Sequence, residues 1–173
     1  MGLIMAHSGN AFALRTRDKL VDKANRESPI LRNFQHDNRI TAAGLDATGN
    51  SLAGLLSAAA GYCVPAGYWV ALYRGWIGGI VSVDNLHHSR LATPDGAYYY
   101  ATVLLMQLIP FVLVGGAGVN LGLAAFTNNA RLVYRGSRVP WLRIPHDALR
   151  DALWIYVTSL PLFAMASLFE FTM

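Results

Sequence analysis

The chain has 173 residues, of which 54% are apolar and only 14% charged, with a formal charge of +4. A soluble domain carries about 25% charged residues, so the deficit argues against an ordinary water-facing enzyme. The single cysteine, Cys63, excludes an intrachain disulfide and a multi-cysteine metal site, and its apolar surroundings read as those of a small core residue.

Residues 1–33 are polar and carry both signs of charge, from Arg15, Arg17 and Asp18 to Arg26 and Glu27. They read as a cytosolic or interfacial arm with one amphipathic helix on the membrane surface, and Ser28-Pro29 is a helix-start signal. No uninterrupted apolar core follows a basic start, so no signal peptide is expected. Position 6 is Ala where a myristoylation start needs Ser or Thr. Residues 34–50 mix small, polar and charged groups and lead into the bilayer.

From Ala47 to Tyr73 no residue is charged. A span needs about 20 apolar residues, so one crossing is expected over about 50–73, kinked at Pro65. Gly54 and Gly61 would let another helix approach closely. The glycine-rich piece 75–83 is too short to cross alone and reads as re-entrant or as an extension of this span. Residues 84–95 then form a polar loop with Asp84, His87, His88 and Arg90.

Residues 96–130 carry no formal charge. As one helix they would reach roughly 50 Å, more than one straight crossing. Pro110 and the glycines at 115–118 are therefore expected to break the segment, with a span over about 97–126. Tyr98, Tyr99 and Tyr100 look like an aromatic belt at its start. A basic loop follows with Arg131, Arg135, Arg138, Trp141 and Arg143, fit for anionic headgroups. The last apolar run gives a span over about 152–172, with Pro161 inside it and Glu170 near its end. Counting Lys and Arg puts the N-terminus and the 131–150 loop in the cytoplasm and the 84–95 loop outside.

Asp84, His87 and His88 could share a helix face and hold a divalent metal, but no third strong ligand type stands nearby, and interfacial hydrogen bonding accounts for them. The glycines from Gly116 miss the dinucleotide fingerprint, because its sixth position is Leu121. Gly115, Gly116, Gly118 and Gly122 instead supply small-residue helix packing. Arg74, Gln107, Asn120 and Glu170 stand in or beside apolar runs, where a polar group is costly and marks a partner contact. Asp46 similarly faces a polar cavity or a partner.

The stretch Phe34-Gln35-His36-Asp37-Asn38-Arg39, the glycines Gly75, Gly78 and Gly79 after Tyr73-Arg74, the run Gln107-Leu108-Ile109-Pro110, and the cluster Gly115-Gly116-Ala117-Gly118 with Asn120 and Gly122 form a pattern. With a tail closing near Glu170, it resembles the stage II sporulation protein M family of small polytopic bacterial membrane proteins. Asp37 stands where that family has an Asn, and Phe111 where it has a His. The resemblance implies a membrane partner of cell-wall hydrolases.

The expectation is thus an all-α, polytopic integral membrane protein of about three crossings, with arm 1–33 and membrane domain 34–173, in the bacterial cytoplasmic membrane. Its function is expected to be that of a non-catalytic scaffold or accessory subunit. The alternative is a transport or permease-like component with its site at a broken 96–130 helix. No cofactor, metal or nucleic acid is expected. The expected partners are anionic membrane lipids and other integral membrane proteins or a second copy of the chain.

Overall fold

The computed structural model describes residues 1–134 and 144–172, and all regular structure among them is helical. Seven helices follow in order: α1 (Gly2–His7), α2 (Ala11–Glu27), α3 (Pro29–Gln35), α4 (Arg39–Tyr62), α5 (Val64–Ile80), α6 (Pro94–Tyr134) and α7 (His146–Thr172).

The arm holds three helices rather than one. Asn10 caps α2, its Oδ1 accepting from the amides of Phe12 and Ala13 at 3.1 Å. Ser28 caps α3, and Pro29 opens it where a missing N–H costs nothing. Asp37 turns the chain into α4 with φ 59°.

The expected crossing over 50–73 is two helices running in opposite directions. Cys63 sits between them with extended backbone (φ −92°, ψ 94°), and Pro65 falls in the first turn of α5. Proline disfavours helix in the residues before it, which ends α4. The reversal is tight because two glycines meet inside it: a Cβ on Gly67 would lie 2.8 Å from the Cα of Gly61. Cys63 is exposed at this turn and is not a core residue. The piece 75–83 is the end of α5 and the first residues of the following loop.

α6 is one continuous helix of 41 residues with Pro110 inside it, so the expected break over 96–130 does not occur. Pro110 is fully buried, and contacts with neighbours offset the lost backbone bond. The glycines near its middle cost helix propensity, about 1 kcal/mol each relative to Ala. Two of them allow backbone contact with α4. A Cβ on Gly118 would collide with the carbonyl of Ala58, and one on Gly122 with that of Tyr62.

These pairs fix the chain directions. Val114 stands beside Gly54, Gly118 against Ala58 and Gly122 against Tyr62, so α4 and α6 run parallel. α5 descends beside them, antiparallel to both: its Gly78 carbonyl accepts from Tyr100, and Arg74 lies over Phe111. α7 runs antiparallel to α4, with Phe171 against Ala42 and Ala43, and Phe163 against Gly54. The arm, the 81–93 loop and the end of α7 therefore share one end of the bundle. The connection from α6 to α7 leaves from the other. The described end of α6 and the start of α7 thus lie away from the arm, and two helices, α6 and α7, have the length and apolarity of a crossing.

Large side chains are on the outside. Leu56 is 71% exposed, Trp69 68%, Phe126 72% and Trp154 63%. The fully buried side chains include Ser82, Ser159 and Ser167 beside Phe163, Ile80 and Val114. α6 and α7 are long and apolar enough to cross a membrane, and only 22% of each apolar window is buried.

Candidate functional site

At the arm end of the bundle, α4, α6 and α7 bring together a polar cluster within apolar helices. Asp46 and Asn50 are one turn apart on α4, so their side chains meet, and the Asn50 amide donates to Asp46 Oδ2 at 2.8 Å. The antiparallel course of α7 sets Ser167 opposite, and its hydroxyl donates to the same oxygen at 2.7 Å. Three residues on, Glu170 occupies the neighbouring face of α7. Its Oε2 accepts from the Gln107 amide on α6, and its backbone carbonyl accepts from the Tyr99 hydroxyl at 2.9 Å. Ser167 is fully buried, while Asp46, Gln107 and Glu170 are half-buried.

Two carboxylates thus stand on facing helices, each held by neutral donors, and among the described residues neither is paired with a basic side chain. In a low-dielectric setting such an arrangement stabilises a proton or a cation shared near the two acids. The carboxylate oxygens are the ligand type of hard cations, while the Asn50 and Gln107 amides turn N–H donors toward them. Among the described residues no group of three or more His, Cys, Asp and Glu side chains converges on a metal position.

Gln107 and Glu170 are therefore each other's partners. Arg74 is apart from them, exposed, with its guanidinium 4.1 Å from the centre of the Phe111 ring. Asn120 is exposed and stands 13 residues beyond Gln107 on α6, about 20 Å along the axis. The packing glycines separate into two groups. Gly54, Gly61, Gly118 and Gly122 face neighbouring helices, whereas a Cβ on Gly115 or Gly116 would meet open space. The carbonyl of Gly115 still touches α4, 2.8 Å from a Cβ placed on Gly61. The side chain of Arg131 and residues Arg135, Arg138, Trp141 and Arg143 lie outside the described part of the structure. Asn50 and Ser167 escape a reading of single residues. Their signal is spacing: Asn50 lies four residues after Asp46, and Ser167 three before Glu170.

The 81–93 loop makes a second cluster. Asp84 does not face a metal position. Its Oδ1 accepts from the amides of Leu86 and His88 at 2.8 Å, and the His88 amide is the main reason its carboxyl lies below the usual range. His87, at φ 63°, swings instead to Asp18 on α2, with Nε2 3.0 Å from Oδ1. That hydrogen bond, more than the neighbouring Arg17, holds the Asp18 carboxyl below its ordinary value of 3.8. Arg17 is 2% exposed; its Nη2 donates to Asn85 at 2.7 Å and its Nη1 to Asp18 at 3.0 Å. His7 joins from α1, with Nε2 2.7 Å from Ser89 Oγ.

No family model, no curated protein and no solved structure matches the chain.

Proposed function

We propose that this chain is a multi-pass protein of the bacterial cytoplasmic membrane that serves as a non-catalytic scaffold or accessory subunit. The supporting observation is the distribution of side chains: many Leu and Trp side chains lie outside, while the interior packs Ser, Ala and Gly around a few large groups such as Phe163 and Ile80. Water penalises such an exterior by roughly 25 cal/mol per Å² of apolar surface, whereas lipid or another membrane helix does not. The exposed apolar faces of α4, α5, α6 and α7 are then free for lipid or other apolar helices. The resemblance to the stage II sporulation protein M family points the same way, toward a membrane partner of another protein.

In this reading α4 and α5 are an inserted hairpin, α6 and α7 cross singly, and the chain passes four times. Its 17 residues make α5 about 26 Å long, near the lower limit for a crossing. The arm to Arg39 has seven Lys and Arg, and Arg90 adds an eighth at that end; residues 131–150 have five. The excess favours a cytoplasmic arm, loop 81–93 and C-terminal end. Cross-linking in native membranes, followed by purification in mild detergent, tests the scaffold reading. A constant partner, or a defined homo-oligomer, is expected. A chain recovered only as a monomer overturns it.

A second reading, transport, draws support from the Asp46–Glu170 cluster, since acids inside a membrane bundle often mark an ion path. Cation or proton flux into reconstituted vesicles should then fall with Glu170→Gln and Asp46→Asn. Flux equal to that of empty vesicles removes this reading.

A further inference from the structure

The N-terminal arm is joined to the bundle in an unusual way. α2 buries only Ala13 and Arg17. α1 meets α5 through backbone: a Cβ on Gly2 would strike the carbonyl of Trp76, and one on Gly79 the amide of Leu3. One aromatic contact adds to these, Phe12 of α2 stacked on Trp76 of α5 with ring centres 5.9 Å apart, and Phe12 stays largely exposed. The ties to the 81–93 loop are polar, namely Arg17 to Asn85, Asp18 to His87, and His7 to Ser89. Arg17 is the anchor, yet its Nε is buried with no hydrogen-bond partner. A buried guanidinium with one N–H unmet costs stability, which offsets part of what its two hydrogen bonds contribute to docking. Small apolar burial, with His7–Ser89 and His87–Asp18 ties that are exposed to solvent, marks a segment that opens locally.

The chain also has pivots. Gly9 separates α1 from α2 with φ 71°, Ser28 is extended between α2 and α3, and Asp37 is left-handed between α3 and α4. α3 has its own attachment, with Ile30 and Phe34 against the Ala42, Ala43 and Phe171 cluster. The part that can leave is therefore α1 with α2, turning at Ser28.

We propose that α1 and α2 form a reversible clasp over the 81–93 loop, held shut by Arg17 and opening as a unit. Opening uncovers the strip on which α1 rests, including Gly79, Ser82 and Ser89, on the side of the membrane that holds the arm. Ser82 reports the event. It is fully buried, with its hydroxyl 3.5 Å from His7 Nδ1.

The test uses the full chain in lipid vesicles, with Cys63→Ser and Ser82→Cys, and a water-soluble maleimide. The parent is expected to label slowly, and Arg17→Met or Asn85→Ala to raise the rate about tenfold or more. Thermal melting of the bundle should stay unchanged in both variants. A rate indifferent to both substitutions overturns the proposal, because Arg17 would not hold the clasp. Labelling that appears only when the bundle itself melts also overturns it, because the arm would be a permanent part of the fold.

Discussion

Gly118 of α6 lies directly against the carbonyl of Ala58 in α4, with no room for a side chain between them. Two residues earlier, Gly116 looks onto open space. The pair gives a paired test of packing in which helix propensity is common to both sites. Gly118→Val should destabilise the bundle by about 1–3 kcal/mol or more through overpacking. Gly116→Val should stay within about 0.5 kcal/mol of the parent. Unfolding in mixed detergent, followed by far-ultraviolet circular dichroism, measures both. Equal effects would mean that α4 and α6 do not meet at Gly118.

The Gln107–Glu170 contact predicts coupling. Gln107→Leu and Glu170→Leu, alone and together, should show a coupling energy of about 1 kcal/mol. Gln107→Leu combined with Tyr98→Leu should be additive, since Tyr98 is largely exposed. The same unfolding assay serves for both cycles.

Ser167→Ala removes one of the two donors to Asp46 and is expected to cost about 1 kcal/mol. Ser159 is buried as well, but its hydroxyl returns to the carbonyl of Ile155 on its own helix. Ser159→Ala should therefore cost less. A larger loss at Ser159 would contradict the placement of Ser167 on Asp46.

Docking of the arm should depend on acid in one direction. The Asp18 carboxyl is held below its ordinary value of 3.8, chiefly by the hydrogen bond from His87. A depressed acid contributes stability that is present above the ordinary value and disappears as pH falls through the lowered one. Spin labels on Lys19 and Leu86 should report an unchanged distance from neutral pH down to about 4, then separation at lower pH. Asp18→Asn should abolish the acid transition. Separation at the same pH in Asp18→Asn would assign the transition to another group.

Membrane sidedness is equally direct. In a Cys63→Ser background, Leu86→Cys and an N-terminal tag should report the same compartment, and Ser137→Cys the opposite one. Agreement of all three positions would rule out the four-pass path.

Much of this architecture can be read along the chain, but chain direction cannot. The charge-free runs from Ala47 to Tyr73 and from 96 to 130 announce helices with an apolar exterior. Cys63-Val64-Pro65 is ambiguous: a proline within a long apolar run looks the same whether the helix bends or doubles back. What decides it is the contact of Gly61 with Gly67, a fact of three dimensions. Pro110 shows the opposite outcome, since neighbours support a continuous helix where local rules expect a break. In the cluster, Gln107 and Glu170 are conspicuous as polar residues in apolar surroundings. Their pairing depends on the antiparallel course of α7, which no local pattern encodes. Asn50 and Ser167 are ordinary helix residues until Asp46 is seen between them. For Asp84, His87 and His88 hydrogen bonding is the sequence expectation, but the loop alone does not name α2, the element that takes His87.

The length of α6 has a mechanical corollary. Forty-one residues at 1.5 Å each make a rod of about 61 Å, against a hydrocarbon layer of about 30 Å. Even a tilt of about 40° leaves it far longer than the layer is thick. In the proposed membrane setting α6 therefore extends past the hydrocarbon layer. The backbone contacts of Gly118 and Gly122 with α4 fix where the helix is held, so its excess length lies beyond a rigid grip.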